Sequence, residues 1–204
     1  MSTSPHTLEG FKGIIAFTAA YLIAATLWVF HVGDLEFLAY IAIMLVLAGI
    51  VWWVHRRIGL PRGLVFCLSL WGALHMAGGL VLLPEGWDVG GKSNVLYNWH
   101  ISGPYFKYDQ LVHAFGFGTT TWLCWRGLLS MAPGLPRPPG IGALTLCAAA
   151  GVGFGALNEV IEFLITVLVP ENNVGGYVNT AMDLVYNTIG AVIAALLIRV
   201  SGKR

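Results

Sequence analysis

The sequence predicts an all-α polytopic membrane protein: a helical bundle of about six transmembrane helices, with the N- and C-termini cytoplasmic. Three observations predict it. Hydrophobic residues make up 57% of the 204 residues and charged ones only 10%, and mean hydropathy is +0.75, which excludes an ordinary soluble domain. Apolar runs long enough to cross about 30 Å of hydrocarbon, roughly 20 residues each, recur along the chain. The basic residues also segregate. With six spans, Lys12, Arg56, Arg57, Arg62, Arg126, Arg137, Arg199, Lys203 and Arg204 share one side and only Lys92 and Lys107 fall on the other. The positive-inside rule makes the first side cytoplasmic.

The spans are expected at Gly13–Phe30, Leu35–Val54, Gly63–Leu83, Asp109–Leu129, Ile141–Val169 and Ala181–Val200. Trp28, Trp87 and Trp99 mark one interface, and Trp52, Trp53, Trp122 and Trp125 the other. The fifth run exceeds one crossing, so it should tilt, bend near its glycines or begin on the membrane surface. Connections are short except Pro84–Tyr108, whose Gly, Trp, Tyr and Asn content suits an interfacial lid or re-entrant segment. No stretch outside the spans is long enough for a soluble domain, so residues 1–204 read as one integral membrane domain. Within it, 13–54 form a peripheral helix pair and 63–200 a four-helix core.

That core is defined by polar stripes at steps of three and four. They run Gly72, His75, Gly79; then Asp109, His113, Gly116, Thr120. The fifth span carries Gly151, Gly155, Asn158, Glu162 with Glu159 adjacent, and the sixth Asp183, Asn187, Gly190, Ala194. Small residues let membrane helices approach closely, and polar ones belong in the resulting interior. Spans four and six share Asp-x3-His/Asn-x2-Gly-x3-Thr/Ala, which suggests a repeated hairpin, three–four against five–six.

Depth along each helix, at about 1.5 Å per residue, puts Glu162 roughly 10 Å, His75 roughly 12 Å and Glu159 roughly 15 Å below the outer ends of their spans. Asp109 and Asp183 are expected to start their helices, with His113 and Asn187 about 6 Å further in. The groups converge on the outer half. An acid at a helix start is also a common capping and dipole device, and Thr180 precedes Asp183 at capping-box spacing. A lone buried histidine is more often structural than a ligand. Glu159 and Glu162 have no such explanation: two carboxylates one turn apart in an apolar span repel unless a proton or a cation neutralises one.

Four carboxylates facing one lysine, Lys107, leave a charge deficit. Shared protons, protonated His75 and His113, or a divalent metal (zinc, manganese or iron) can meet it. The expected assignment is Glu159 and Glu162 as catalytic carboxylates, His75, Asp109, His113 and Asp183 as metal ligands, and Asn158 and Asn187 as substrate-binding amides. Cys67, Cys124 and Cys147 lie within spans without metal spacing. His31, His55 and His100 are placed in loops without partners. Gly151-Val-Gly-Phe-Gly155 follows no strand and is not a nucleotide loop. A net charge of +1 without a basic run gives no reason to expect nucleic acid. The N-terminus lacks a cleavage site, so the first span is expected to stay.

Tyr108-Asp109-Gln-Leu-Val-His113-Ala-Phe-Gly116, Asn158-Glu159-Val-Ile-Glu162-Phe and Asp183-Leu-Val-Tyr-Asn187-Thr-Ile-Gly190-Ala resemble a VanZ-like group of bacterial inner-membrane proteins. The nearest likeness is to the uncharacterised YjdF-like branch. Where VanZ-like proteins tend to show Asp-Lys-x-x-His and Glu-x-x-Gln, this chain has Gln110 and Glu162, which favours the YjdF-like branch. The likeness covers roughly residues 63–200. It implies a multi-pass inner-membrane protein of the cell envelope, with a link to antibiotic resistance in some VanZ-like members and no assigned reaction in the nearer branch. The leading expectation is an enzyme acting on a lipid or lipid-linked envelope substrate with membrane lipid as its partner. The alternatives are a proton- or cation-coupled transporter, or a non-catalytic scaffold.

Overall fold

The computed structural model of the protein describes residues 10–33, 35–91, 93–169 and 174–202. Its helices are α1 Lys12–Val32, α2 Leu35–Ile58, α3 Arg62–Leu80, α4 Tyr108–Met131, α5 Ile141–Leu168 and α6 Tyr177–Ser201, so every expected span has its helix. Among the described residues, β structure is limited to isolated antiparallel bridges. Three of the basic residues used for orientation, Lys92, Lys203 and Arg204, lie outside the described residues.

Five helices are long and apolar enough to cross a membrane; α4 is the exception. Its 24 residues give ample length, but Asp109, Gln110, His113, Thr119, Thr120, Thr121 and Arg126 lower its hydropathy. The physical reason lies in its surroundings. It packs against both α5 and α6 and buries Gln110, His113 and the three threonines. α5 and α6 instead expose Phe154, Phe163, Val167, Val192, Ile193 and Leu197, the side chains that meet lipid. The expected excess in the fifth span is real: α5 is one unbroken helix of 28 residues. At about 42 Å it outruns the hydrocarbon core, so tilt or a surface-lying end must absorb the difference.

The chain divides into two compact units, with the boundary between Met76 and Ala77, inside α3. In the first unit the Thr18 and Ser69 hydroxyls are 2.6 Å apart. Gly72 leaves room for the Tyr21 hydroxyl and the Met44 methyl, and the His75 ring stands edge-on to Tyr40 at 5.6 Å. His55 is not a loop residue. The basic run His55-Arg56-Arg57 forms the last turn of α2, where positive charge suits the helix dipole. Its buried ring accepts the Leu60 N–H at Nδ1, 3.1 Å away, between Trp52 and Phe11. His31 likewise belongs to the last turn of α1, near Trp28.

In the second unit α4 and α6 run parallel, with α5 antiparallel beside both. Their close approach is made by glycine. A methyl at Gly190 would run into the Ala114 carbonyl, one at Gly151 into the Thr121 hydroxyl, and one at Gly155 into the Asn187 amide. The connection from α3 to α4 is folded onto itself by bridges Leu82–Val95, Val89–Trp99 and His100–Lys107. A short 3-10 turn, Leu96–Asn98, lies within it. Trp87 and Trp99 pack at 5.2 Å. His100, expected without a partner, meets Asp88 at 2.9 Å, because the hairpin-like fold of this segment brings residues twelve apart together.

Candidate functional site

The N-terminal ends of α4 and α6 and the C-terminal end of α5 lie at the same end of the second unit, and this sets which side chains meet. One expectation fails in detail. Asp183 does not start its helix: α6 begins at Tyr177 after Gly176, and no side chain caps it. Asp183 therefore sits in the second turn, fully buried, and its role is not to cap. Asp109 is in the first turn of α4, as expected.

The two stripes that share a spacing meet in pairs. Asn179 joins Asp109 to Asp183: its amide nitrogen donates to Asp109 Oδ2 at 3.0 Å and to Asp183 Oδ2 at 2.6 Å. One turn deeper, His113 Nδ1 lies 3.1 Å from Asn187 Oδ1. That oxygen can only accept, so Nδ1 carries the hydrogen, and Nε2 is the ring nitrogen left facing the carboxylates of Asp109 and Glu162. The other Asp183 oxygen accepts from Gln110 Nε2 at 2.8 Å, while Gln110 Oε1 accepts the Lys107 N–H at 2.9 Å. Lys107 Nζ donates to Asn179 Oδ1. Each Asp183 oxygen thus has an amide donor.

α5 completes the cluster. His113 Nε2 faces Asp109 Oδ1 at 3.6 Å and Glu162 Oε1 at 4.0 Å, and Nδ1 is 3.6 Å from Glu159 Oε1. These separations are too long for hydrogen bonds. Glu162 is 16% exposed and accepts from Asn158 Nδ2 at 2.7 Å. The Glu159 side chain is only 8% exposed, yet among the described residues neither of its oxygens has a hydrogen-bond partner. The Asn187 amide nitrogen is likewise unpartnered there. Two sets of three donor atoms lie within 4.8 Å of one another: Asp109, His113 and Asp183, and His113, Glu159 and Glu162. Either set has the mixed imidazole and carboxylate chemistry that suits a divalent metal.

Above the cluster opens a cavity of about 630 Å³. Lys107, Gln110 and Asn179 line it, together with His100, Ser93 and Tyr177. The amides that hold Asp109 and Asp183 are therefore part of its lining, while Asp109, His113, Glu159, Glu162 and Asp183 themselves lie behind them. Of the residues expected from the sequence, Asp109, His113, Glu159, Glu162, Asp183, Asn158 and Asn187 come together here. His75 belongs to the first unit, beside Tyr40. Gln110 and Asn179 were not anticipated, although the i,i+4 spacing of Asn179 and Asp183 places them on one helix face.

The model of a family described as a predicted membrane protein, DUF2238, matches residues 13–204. The chain belongs to this family. The match takes in all six helices, and it agrees with the likeness to YjdF-like membrane proteins while carrying no statement of a wider VanZ-like kinship. No curated protein and no solved structure matches the chain. For this DUF2238 member the geometry of the cluster therefore carries the functional argument.

Proposed function

We propose that this protein is an enzyme of the bacterial inner membrane acting on a lipid or lipid-linked envelope substrate, with the cluster around His113 as its reacting centre. The observation that carries the reading is the cavity of about 630 Å³ whose lining includes Gln110, Asn179 and Lys107, the residues bonded into the cluster. A polar headgroup entering it would meet Lys107, Gln110 and Asn179, the last two bonded directly to Asp109 and Asp183. The exposed Val160, Phe163, Leu164 and Val167 of α5, on the helix that supplies Glu159 and Glu162, offer an apolar surface for an acyl or isoprenoid tail. The charge asymmetry of the sequence turns this end of the helices to the outer side.

Glu159 and Glu162 supply the negative charge at the centre, by taking the substrate's proton themselves or by holding a cation. Asn158 orients Glu162, Asn187 orients His113, and Lys107 attracts an anionic headgroup. A carrier reading finds less support. Thr119, Thr120 and Thr121 turn their hydroxyls back onto the carbonyls of Phe115, Gly116 and Phe117. Among the described residues of this unit, no further carboxylate or histidine leads from the cluster to the opposite ends of α4–α6.

The test is turnover. Purified protein is incubated in mixed micelles with phospholipids and polyisoprenyl phosphates, and the products are followed by mass spectrometry. The expected result is conversion of one lipid class by the wild type and at least a hundredfold loss in Glu159→Gln and Glu162→Gln, in the range of removed acid–base groups. Conversion unchanged in both variants would overturn the assignment. Cation-dependent uptake into liposomes without lipid turnover would replace the enzyme by a carrier.

A further inference from the structure

We propose that His113, Glu159 and Glu162 together bind one divalent cation of the manganese, iron or zinc class, with Asp109 beside it and Asp183 outside it. The inference deepens the preceding section, since it rests on the same cluster, but it is read out by metal content rather than by turnover.

Two candidate sets share His113, and the hydrogen bonds decide between them. Both oxygens of Asp183 are already taken by the Gln110 and Asn179 amides at 2.8 and 2.6 Å. This carboxylate is satisfied by the protein. Glu159 is the reverse: its side chain is more than nine-tenths buried, its nearest cationic group is His113 at 3.6 Å, and among the described residues neither oxygen has a hydrogen-bond partner. A carboxylate held in that state, beside a second one in a helix with no cation of its own, is a ligand position waiting for a positive charge.

The distances agree. Donor atoms bound tetrahedrally at about 2.0–2.1 Å lie roughly 3.3 Å from one another. The separations from His113 Nε2 to Asp109 Oδ1, 3.6 Å, and to Glu162 Oε1, 4.0 Å, are a little wider than that and wider still than hydrogen bonds, and the ligand atoms of His113, Glu159 and Glu162 lie within 4.8 Å of one another. The His113 Nδ1–Asn187 bond supplies the remaining element. A metal-bound imidazole typically donates its other N–H to a carbonyl or carboxylate, which fixes tautomer and ring orientation. Three protein ligands leave a fourth position for water or substrate, and Asp109, 3.6 Å from His113 Nε2, is the carboxylate beside it.

The experiment is elemental analysis of the purified chain in neutral detergent, then titration of chelator-stripped protein with Mn²⁺ alone, followed by electron paramagnetic resonance. About one ion per chain is expected in the wild type. At least a tenfold lower occupancy is expected in Glu159→Gln and His113→Ala, wild-type content in Asp183→Asn, and roughly 10–100-fold weaker Mn²⁺ binding in Asn187→Ala. Melting of each variant in chelator shows that the fold persists. If Asp183→Asn lost the ion while Glu159→Gln kept it, the ligand set would be the other one and the proposal would fall. A wild type that holds no metal and takes up no Mn²⁺ would also overturn it. Lipid turnover by such metal-free protein would leave the enzyme reading standing alone.

Discussion

Replacing Glu159 by Gln should make the metal-stripped protein more stable while it removes function. The Glu159 and Glu162 donor atoms lie within 4.8 Å. Two ionised carboxylates at that distance repel by about 3.5 kcal/mol at an effective dielectric of about 20. Attraction to His113 and proton sharing reduce the figure, and the lack of a partner for either Glu159 oxygen adds a desolvation cost of about 1–3 kcal/mol. A neutral amide of the same shape relieves the repulsion and brings two donors into a group of acceptors. The net gain expected is about 1–3 kcal/mol, and at roughly 2–4 °C per kcal/mol for a chain of this size Tm should rise by about 2–12 °C. The assay is thermal unfolding of wild type and variant in the same detergent with chelator present. A fall in Tm would refute the reasoning, because it would mean that the Glu159 carboxylate holds the helices together.

Three further outcomes are expected. Gln110→Ala leaves a fully buried Asp183 oxygen without its donor, so it should cost about 1.5–3 kcal/mol in chemical or thermal unfolding. Gly190→Ala drives a methyl into the Ala114 carbonyl, where neither helix backbone can give way. A loss of about 1–3 kcal/mol and a wider α4–α6 spacing by spin-label distance measurement should follow. A reporter active only outside the cytoplasm should be silent when fused after Arg204 and active when inserted near Gly90. The reverse pattern would place the cavity on the cytoplasmic side.

The helices were legible because hydropathy over twenty residues is a strong signal, and each observed helix starts and stops within a few residues of its expected span. α4 needed more than hydropathy. Its stripe of Asp109, His113, Gly116 and Thr120 already marked it as an interior helix, and the structure shows that α5 and α6 provide the apolar exterior it lacks. The start of α6 differs from expectation because Thr180 and Asp183 stand at capping-box spacing, which marks a helix start in sequence. The helix in fact begins straight after Gly176, which moved Asp183 from a helix end to the second turn. Gln110 and Asn179 were illegible for a different reason. A neutral amide costs little on an exposed helix end, so nothing in its type distinguishes it there from one that bonds a buried acid. Only tertiary pairing of α4 with α6 reveals the difference. The spacing shared by spans four and six suggests only a repeated hairpin; in the structure the positions that match in sequence, His113 and Asn187, bond to one another directly.

The backbone-bonded threonines of α4 have a kinetic consequence. Thr119, Thr120 and Thr121 bond to their own helix, and Gly190, Gly151 and Gly155 close the helices onto one another beside them, so among the described residues no polar path leads on from the cluster within its unit. On the proposed reading, substrate and product would then share the approach between Lys107 and Tyr177 and compete for it. Product should act as a competitive inhibitor, and a bulkier side chain at the mouth should slow entry and exit together.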